Sequence, residues 1–140
     1  ELARKLLQLR GERAIFRRDR FRRGEFLLNA KGQPRGRKNI AWFGGNNAEM
    51  TEHEWRDATR RTLGMYLAHD DPLRATDEAF LVWFHAGSDP IQVELPDGPW
   101  ADTYTVIAHT GVEGELPSEK IAAGSSLKLP ARTVVVLQVD

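Results

Sequence analysis

Four carboxylates crowd one short stretch of this chain: Glu49, Glu52, Glu54 and Asp57. A retaining glycosidic cleavage uses two carboxyl groups about 5 Å apart, one of them with a raised pKa. These four sit in a polar, arginine-rich setting, where carboxylates are normally solvated or ion-paired, and that assignment is preferred. His69-Asp70 reads as a surface turn after a strand. The four histidines, His53, His69, His85 and His109, show no His at i+4, no His-x-His spacing and no cysteine nearby, so a metal site is not expected. His85 and His109 are expected to end strands. Ser88-Asp89 has no Gly-x-Ser-x-Gly context, so no nucleophile elbow is supported. No catalytic, cofactor-binding or metal-binding residue is assigned.

The aromatic residues offer binding instead of catalysis. Phe16, Phe21 and Phe26 interleave with Arg17, Arg18, Arg20, Arg22 and Arg23. Such interleaving suits single-stranded nucleic acid, through stacking and phosphate contact. It also suits a linker whose phenylalanines bury against a neighbouring domain while the arginines pair with its acidic surface. Of the four tryptophans, Trp83 lies in an apolar run and Trp100 follows Pro99, and both are assigned to the core. Trp42 and Trp55 belong to the stretch Asn39–Trp55. There an Ile40-Ala41-Trp42-Phe43 strand meets a Gly44-Gly45-Asn46-Asn47 turn and then Glu49-Met50-Thr51. Sealing a joint between two domains is their first expected role, and sugar stacking the second.

The elements that would hold these side chains follow from periodicity. Leu2, Leu6 and Leu9 make one apolar stripe on a helix over Leu2–Arg13. Residues 29–39 contain Gly32, Pro34 and Gly36 and read as a loop. Thr51 with Glu54 three positions on is a capping-box pattern, predicting a helix over Glu52–Arg61. Strands are predicted at Ile40–Phe43, Thr62–Ala68, Ala79–His85, Ile91–Leu95, Tyr104–His109, Ser126–Leu129 and Arg132–Val139, separated by Pro/Gly/Asp turns. That pattern predicts a mainly β fold, an antiparallel sandwich of Greek-key type preceded by an N-terminal helix and connector. Phe80, Val82, Phe84, Ile91, Val93, Val134 and Val136 are predicted to form one sandwich core.

Composition narrows the class. The chain has 140 residues and no cysteine, which excludes disulfides and thiolate chemistry. No apolar run reaches the ~18 residues of a membrane span. The zero net charge hides a division: residues 1–61 carry 16 Lys/Arg against 8 Asp/Glu, and residues 62–140 carry 4 against 12. A basic half of this kind meets either an acidic partner or a missing part of the same protein. The first residue is Glu1 and a leucine stripe follows at once, so the N-terminus reads as a cut or cleavage point.

The order of these pieces resembles the bacterial glycogen-debranching (isoamylase-like) branch of the family-13 glycoside hydrolases in the α-amylase superfamily. The matching residues are Leu6, Leu7, Leu9, Arg10, then Phe16-Arg17-Arg18, Ile40-Ala41-Trp42, Glu49-Met50-Thr51, Trp55 and Leu63-Gly64. They close with Leu129-Pro130-Ala131-Arg132-Thr133-Val134-Val135-Val136-Leu137. Two loops depart from the family pattern. The turn after Trp42 is Gly-Gly-Asn-Asn where a Pro-Asp-Gly-like sequence is usual, and Ala68-His69-Asp70 stands where Asn-Gly usually follows. His69-Asp70 superficially resembles the family's Asn-His-Asp segment, yet the Gly-Phe-Arg-x-Asp nucleophile segment and the segment of the acid/base glutamate are absent. The resemblance therefore implies a non-catalytic C-terminal portion: residues 1–60 as the last barrel helix plus connector, residues 61–140 as a β-sandwich. It implies no cofactor, a cytoplasmic location, no membrane, and the parent's catalytic barrel and branched α-glucan as partners. Trp42, Glu49, Met50 and Trp55 become candidates for contact with the barrel or with glucan, and nucleic acid is disfavoured. Leu2, Leu6, Leu9, Phe16, Trp42 and Trp55 are expected to face a surface that this chain does not contain. The alternative is a stand-alone module binding carbohydrate or, through the Arg/Phe-rich half, nucleic acid.

Overall fold

Apolar, β-branched and aromatic residues concentrate in four seven-residue segments, and those segments lie side by side in the largest sheet. A computed structural model of the chain describes residues 2–16, 22–28, 31, 33–69 and 78–140. Among these, helix α1 spans Leu2–Glu12 and is followed by a 3₁₀ turn at Ala14–Phe16. The strands are β1 (Phe26–Leu28), β2 (Pro34–Lys38), β3 (Ile40–Phe43), β4 (Thr62–Ala68), β5 (Ala79–His85) and β6 (Ile91–Glu94). They continue with β7 (Thr103–His109), β8 (Ile121–Ala122), β9 (Ser126–Leu129) and β10 (Thr133–Val139), while the short helix α2 spans Glu52–Trp55. A six-stranded sheet runs β3-β4-β5-β10-β7-β8, and two-stranded sheets form from β6-β9 and β1-β2. Every strand pair is antiparallel. The last strand does not add at an edge; it returns between β5 and β7, the crossed order that separates a Greek-key-type arrangement from a meander. The fold is mainly β and sandwich-like, with a helix at the N-terminal end.

Alternation along the strands makes two apolar layers. Toward β6 and β9, Tyr66, Leu81, Trp83, Val135 and Leu137 pack with Val93 and Leu129. The register sets Gly64, Trp83 and Val135 in one row and Tyr66, Leu81 and Leu137 in the next. On the opposite face, Leu67, Phe80, Val82, Ala108 and Val136 meet Ile15, with Leu2, Leu9 and Phe16 against them. The rings of Phe16 and Phe80 are 4.8 Å apart between centroids. A bulge between Val136 and Leu137 shifts the pairing with β7, so that Val136 opposes Ala108 while Leu137 opposes Val106.

Several expectations change at this point. The seven residues predicted as one core divide: Val93 lies between the sheets, while Phe80, Val82 and Val136 lie under the helix with Val134 beside them. Phe84 and Ile91 are each 39% exposed. An unbroken apolar run shows that both faces are covered, but it does not say which alternate residues face which layer. Leu2, Leu9 and Phe16 likewise rest on the chain's own sheet, whereas Leu6 and Leu7 remain exposed. Residues 34–38, expected as loop, form β2; Gly36 adopts a φ of 80° there. The helix predicted to reach Arg61 stops at Trp55. Asp57 ends it by accepting from the backbone N–H and hydroxyl of Thr59, at 2.9 and 2.6 Å. The strand assigned to the connector, β3, pairs along its length with β4, across the boundary expected near residue 61.

The inner layer leaves no room opposite Trp83. A Cβ at Gly64 would stand 2.8 Å from its Cη2 and Cζ3 atoms. Gly64→Ala should therefore destabilise the fold by about 1–3 kcal/mol through overpacking, and Leu81→Ala by about 2–5 kcal/mol. Phe84→Ala should cost less than Leu81→Ala, since Phe84 is 39% exposed. Chemical denaturation of the three variants reads all three, and a Phe84→Ala loss as large as that of Leu81→Ala would contradict the two-layer assignment.

Candidate functional site

The four residues singled out from the sequence meet on one surface. β3 alternates, so Ala41 and Phe43 are buried while Trp42 projects the other way and is half-buried. After β3 the chain reverses through Gly45, at φ 102°, and Asn47, at φ 62°. The Met50 N–H donates to the Trp42 carbonyl at 2.7 Å, and Phe43 and Glu49 form an antiparallel bridge. This return lays Glu49 and Met50 alongside Trp42. The turn is anchored on its far side too, because the Glu94 N–H donates to the Gly45 carbonyl at 2.9 Å.

α2 then delivers Trp55. Its capping box is complete: the Glu54 N–H donates to Thr51 Oγ1 and the Thr51 N–H donates to Glu54 Oε1, both at 3.2 Å. Glu54 also pairs with Arg60 at 2.8 Å, and Arg60 donates to the Gly44 carbonyl at 3.0 Å. The helix is thus tied to the end of β3. Trp55 stands edge-on to Trp42 at 5.7 Å and 77°, and is still 51% exposed. Lys38, at the end of β2, donates to Glu49 Oε2 at 3.0 Å and sits 5.5 Å over the Phe26 ring. Arg23, Lys38, Trp42, Glu49, Met50 and Trp55 line a cleft of about 420 Å³.

Each carboxylate of the acidic group has a partner of its own. Glu49 pairs with Lys38, Glu52 with Arg56 at 3.0 Å, Glu54 with Arg60, and Asp57 with Thr59. The Thr59 hydroxyl and N–H hold the Asp57 carboxyl below its usual range. These carboxylates shape a loop; the aromatic pair and the Lys38–Glu49 ion pair suit binding. Among the described residues no group of three or more His, Asp or Glu side chains is placed to hold a metal ion. His53 is exposed on α2, and the His69 N–H donates to Glu78 O at 2.9 Å. Asp70, Phe21, Arg17, Arg18 and Arg20 lie outside the described residues. His85 ends β5 as expected, buried, with Thr62 Oγ1 at 2.8 Å from Nδ1 and the Asp89 carbonyl at 2.6 Å from Nε2. His109 ends β7, and burial pushes its pKa down. Trp83 is fully buried, and Trp100 packs edge-on against Phe43 and Tyr66 at 5.1 Å from each. Lys38 is the cleft residue that sequence reasoning missed. Its only signal was its place beside Asn39, where β2 gives way to β3.

No family model matches the chain. It is similar to the glycogen operon protein GlgX homologs of two mycobacteria. With the protein of Mycobacterium bovis it shares 26% identity over 143 positions, and with those of two strains of Mycobacterium tuberculosis the same. The alignment takes in 97% of this chain and 19% of each relative, so the chain spans about a fifth of the length of the curated relatives it matches. That likeness points to the same glycogen-related group as the resemblance read from the sequence.

Two outcomes follow from this geometry. Thr51→Ala removes the hydroxyl that accepts from the Glu54 N–H and leaves the backbone half of the capping box, and should cost about 1 kcal/mol. It should also weaken the near-ultraviolet circular dichroism of the Trp42–Trp55 pair; an unaltered spectrum would mean that α2 does not position Trp55. His109, with a depressed folded pKa, contributes stability that is present above its unfolded value of 6.5 and is lost as the pH falls through the folded value. His109→Asn should flatten the stability–pH profile between 6.5 and the lower folded value relative to the parent chain, and an identical profile would contradict it.

Proposed function

We propose that this chain is the non-catalytic, C-terminal β-sandwich portion of a glycogen-debranching α-1,6-glucosidase of the α-amylase superfamily. The supporting observation is the likeness to glycogen operon proteins, which takes in nearly all of this chain and about a fifth of theirs. The absence of both catalytic carboxylate segments from the sequence fits such a division. The parent would work in the cytoplasm on branched α-glucan, and this portion would stabilise its catalytic barrel. The N-terminal sixty residues would form the joint: α1 rests one side on the sandwich through Leu2 and Leu9, and offers Leu6 and Leu7 to the barrel.

A stand-alone carbohydrate-binding module is the second candidate. The observation favouring it is that the helix stripe is partly covered by the chain's own sheet, through Leu2, Leu9 and Phe16.

The chain alone should release no reducing ends from glycogen or a branched maltodextrin. Mixed with the separately produced preceding part of the longer protein, it should bind that part and raise its debranching activity, and Leu7→Asp should abolish the binding. Release by the chain alone that is lost in Glu49→Gln would overturn the non-catalytic assignment. Failure to associate with the preceding part would leave the module assignment in its place.

A further inference from the structure

We infer that the cleft between Trp42 and Trp55 is a surface site for an α-glucan chain, with Trp55 as its stacking platform. The choice of glucan over other sugars rests on the proposed function; the cleft itself rests on four observations. First, Trp55 keeps half its surface in solvent although it is fixed at its edge by Trp42 and at its backbone by a complete capping box. A large aromatic left open costs hydrophobic burial, and one held rigidly open loses little entropy when a ligand arrives. Second, the rim carries both halves of hydroxyl recognition. Glu49 gives one oxygen to Lys38 and keeps Oε1 as an acceptor, while Lys38 and exposed Arg23 retain N–H donors. Third, the cleft volume of about 420 Å³ lies within the roughly 300–1,000 Å³ range of small-molecule sites. Fourth, the floor is backbone held from two sides, by β3 and by the Glu49–Met50 return strand, so the platform is preformed.

A pyranose ring matches this arrangement. Its axial C–H groups carry positive partial charge and lie well on the negative face of an indole. Its equatorial hydroxyls both donate and accept, and they reach a carboxylate on one side and ammonium and guanidinium groups on the other. A nucleic acid strand fits less well, because the Glu49 carboxylate on the rim of the cleft repels phosphate. The concave region beside His85 offers no equivalent. Both His85 ring nitrogens and the Arg60 terminal nitrogens are already paired within the fold.

Cosedimentation with glycogen and tryptophan-fluorescence titration with maltoheptaose test the site on the 140-residue chain itself. The unmodified chain should cosediment and show a saturable fluorescence change. Trp55→Ala should weaken binding about tenfold or more while the chain stays folded by far-ultraviolet circular dichroism. Glu49→Gln should weaken it less, and Ile91→Ala, exposed outside the cleft, should leave it unchanged. The inference is overturned if the unmodified chain fails to bind either glucan, if Trp55→Ala binds as the parent does, or if oligothymidylate displaces maltoheptaose. Association with the preceding part of the protein, measured separately, decides the proposed function whichever way the glucan experiment falls.

Discussion

The indole of Trp83 occupies the space in which a side chain at position 64 would stand, and the inner layer is arranged around that overlap. Trp83 is fully buried, and its Nε1–H has no hydrogen-bond partner among the described residues. An orphaned buried donor costs about 1–3 kcal/mol. Burial of an indole of roughly 200 Å² at ~25 cal/mol/Å² returns about 5 kcal/mol, so the packing term is the larger. The contact holds β4 and β5 in one register, because a slip of one residue would bring Leu63 or Met65 against the indole in place of a glycine. With that register fixed, Tyr66 falls beside Leu81 and its hydroxyl reaches the Trp100 carbonyl at 2.7 Å. Tyr104 is held similarly, its hydroxyl donating to the Pro96 carbonyl at 2.6 Å, and burial raises its pKa well above the ordinary phenol value.

The same register reaches the cleft. β3 takes its alignment from β4, with Trp42 opposite Met65 and Phe43 opposite Gly64. Phe43 turns inward to meet Tyr66 and Trp100 edge-on, so Trp42 must turn outward. A tryptophan on the surface is thus a consequence of where its neighbour is buried. Asn39 secures the approach to this strand: buried, it accepts from the Glu25 N–H through Oδ1 and from the Ala68 N–H through its carbonyl. Lys38 follows from that placement, set beside Glu49 by a junction that cannot rotate freely.

Much of this was legible in the sequence, and the failures have physical causes. β3, β4, β5 and β9 have the residues predicted for them, because short apolar runs between turn residues leave little freedom. The capping box at Thr51 and Glu54 was readable since it depends on two side chains three apart, whereas the early stop at Trp55 depends on a local bond from Thr59 to the Asp57 carboxylate that competes with the helix. β1 and β2 are not legible in the sequence because β1 is only three residues long, all apolar, and β2 carries Pro34 and Gly36, so neither shows an apolar–polar alternation. The two faces of β5 could not be told apart, since a run of Phe, Leu, Val and Trp is apolar on both sides and only the partners decide. Trp42, Glu49, Met50 and Trp55 were chosen as a connector motif, and their meeting depends on a chain reversal at Asn47 that residue types merely permit.

The return segment has one more consequence, for how the sheet ends. A sheet edge presents unpaired N–H and C=O groups that can template pairing with another chain. At one edge of the six-stranded sheet, β3 is partly covered by its own continuation, through the Phe43–Glu49 bridge and the Met50–Trp42 bond. At the other, β8 is only two residues long. Neither edge offers a long, flat template. The backbone that builds the cleft therefore also guards the sheet against edge-to-edge aggregation, and lengthening the Gly44–Asn47 turn would expose the edge as well as loosen the cleft.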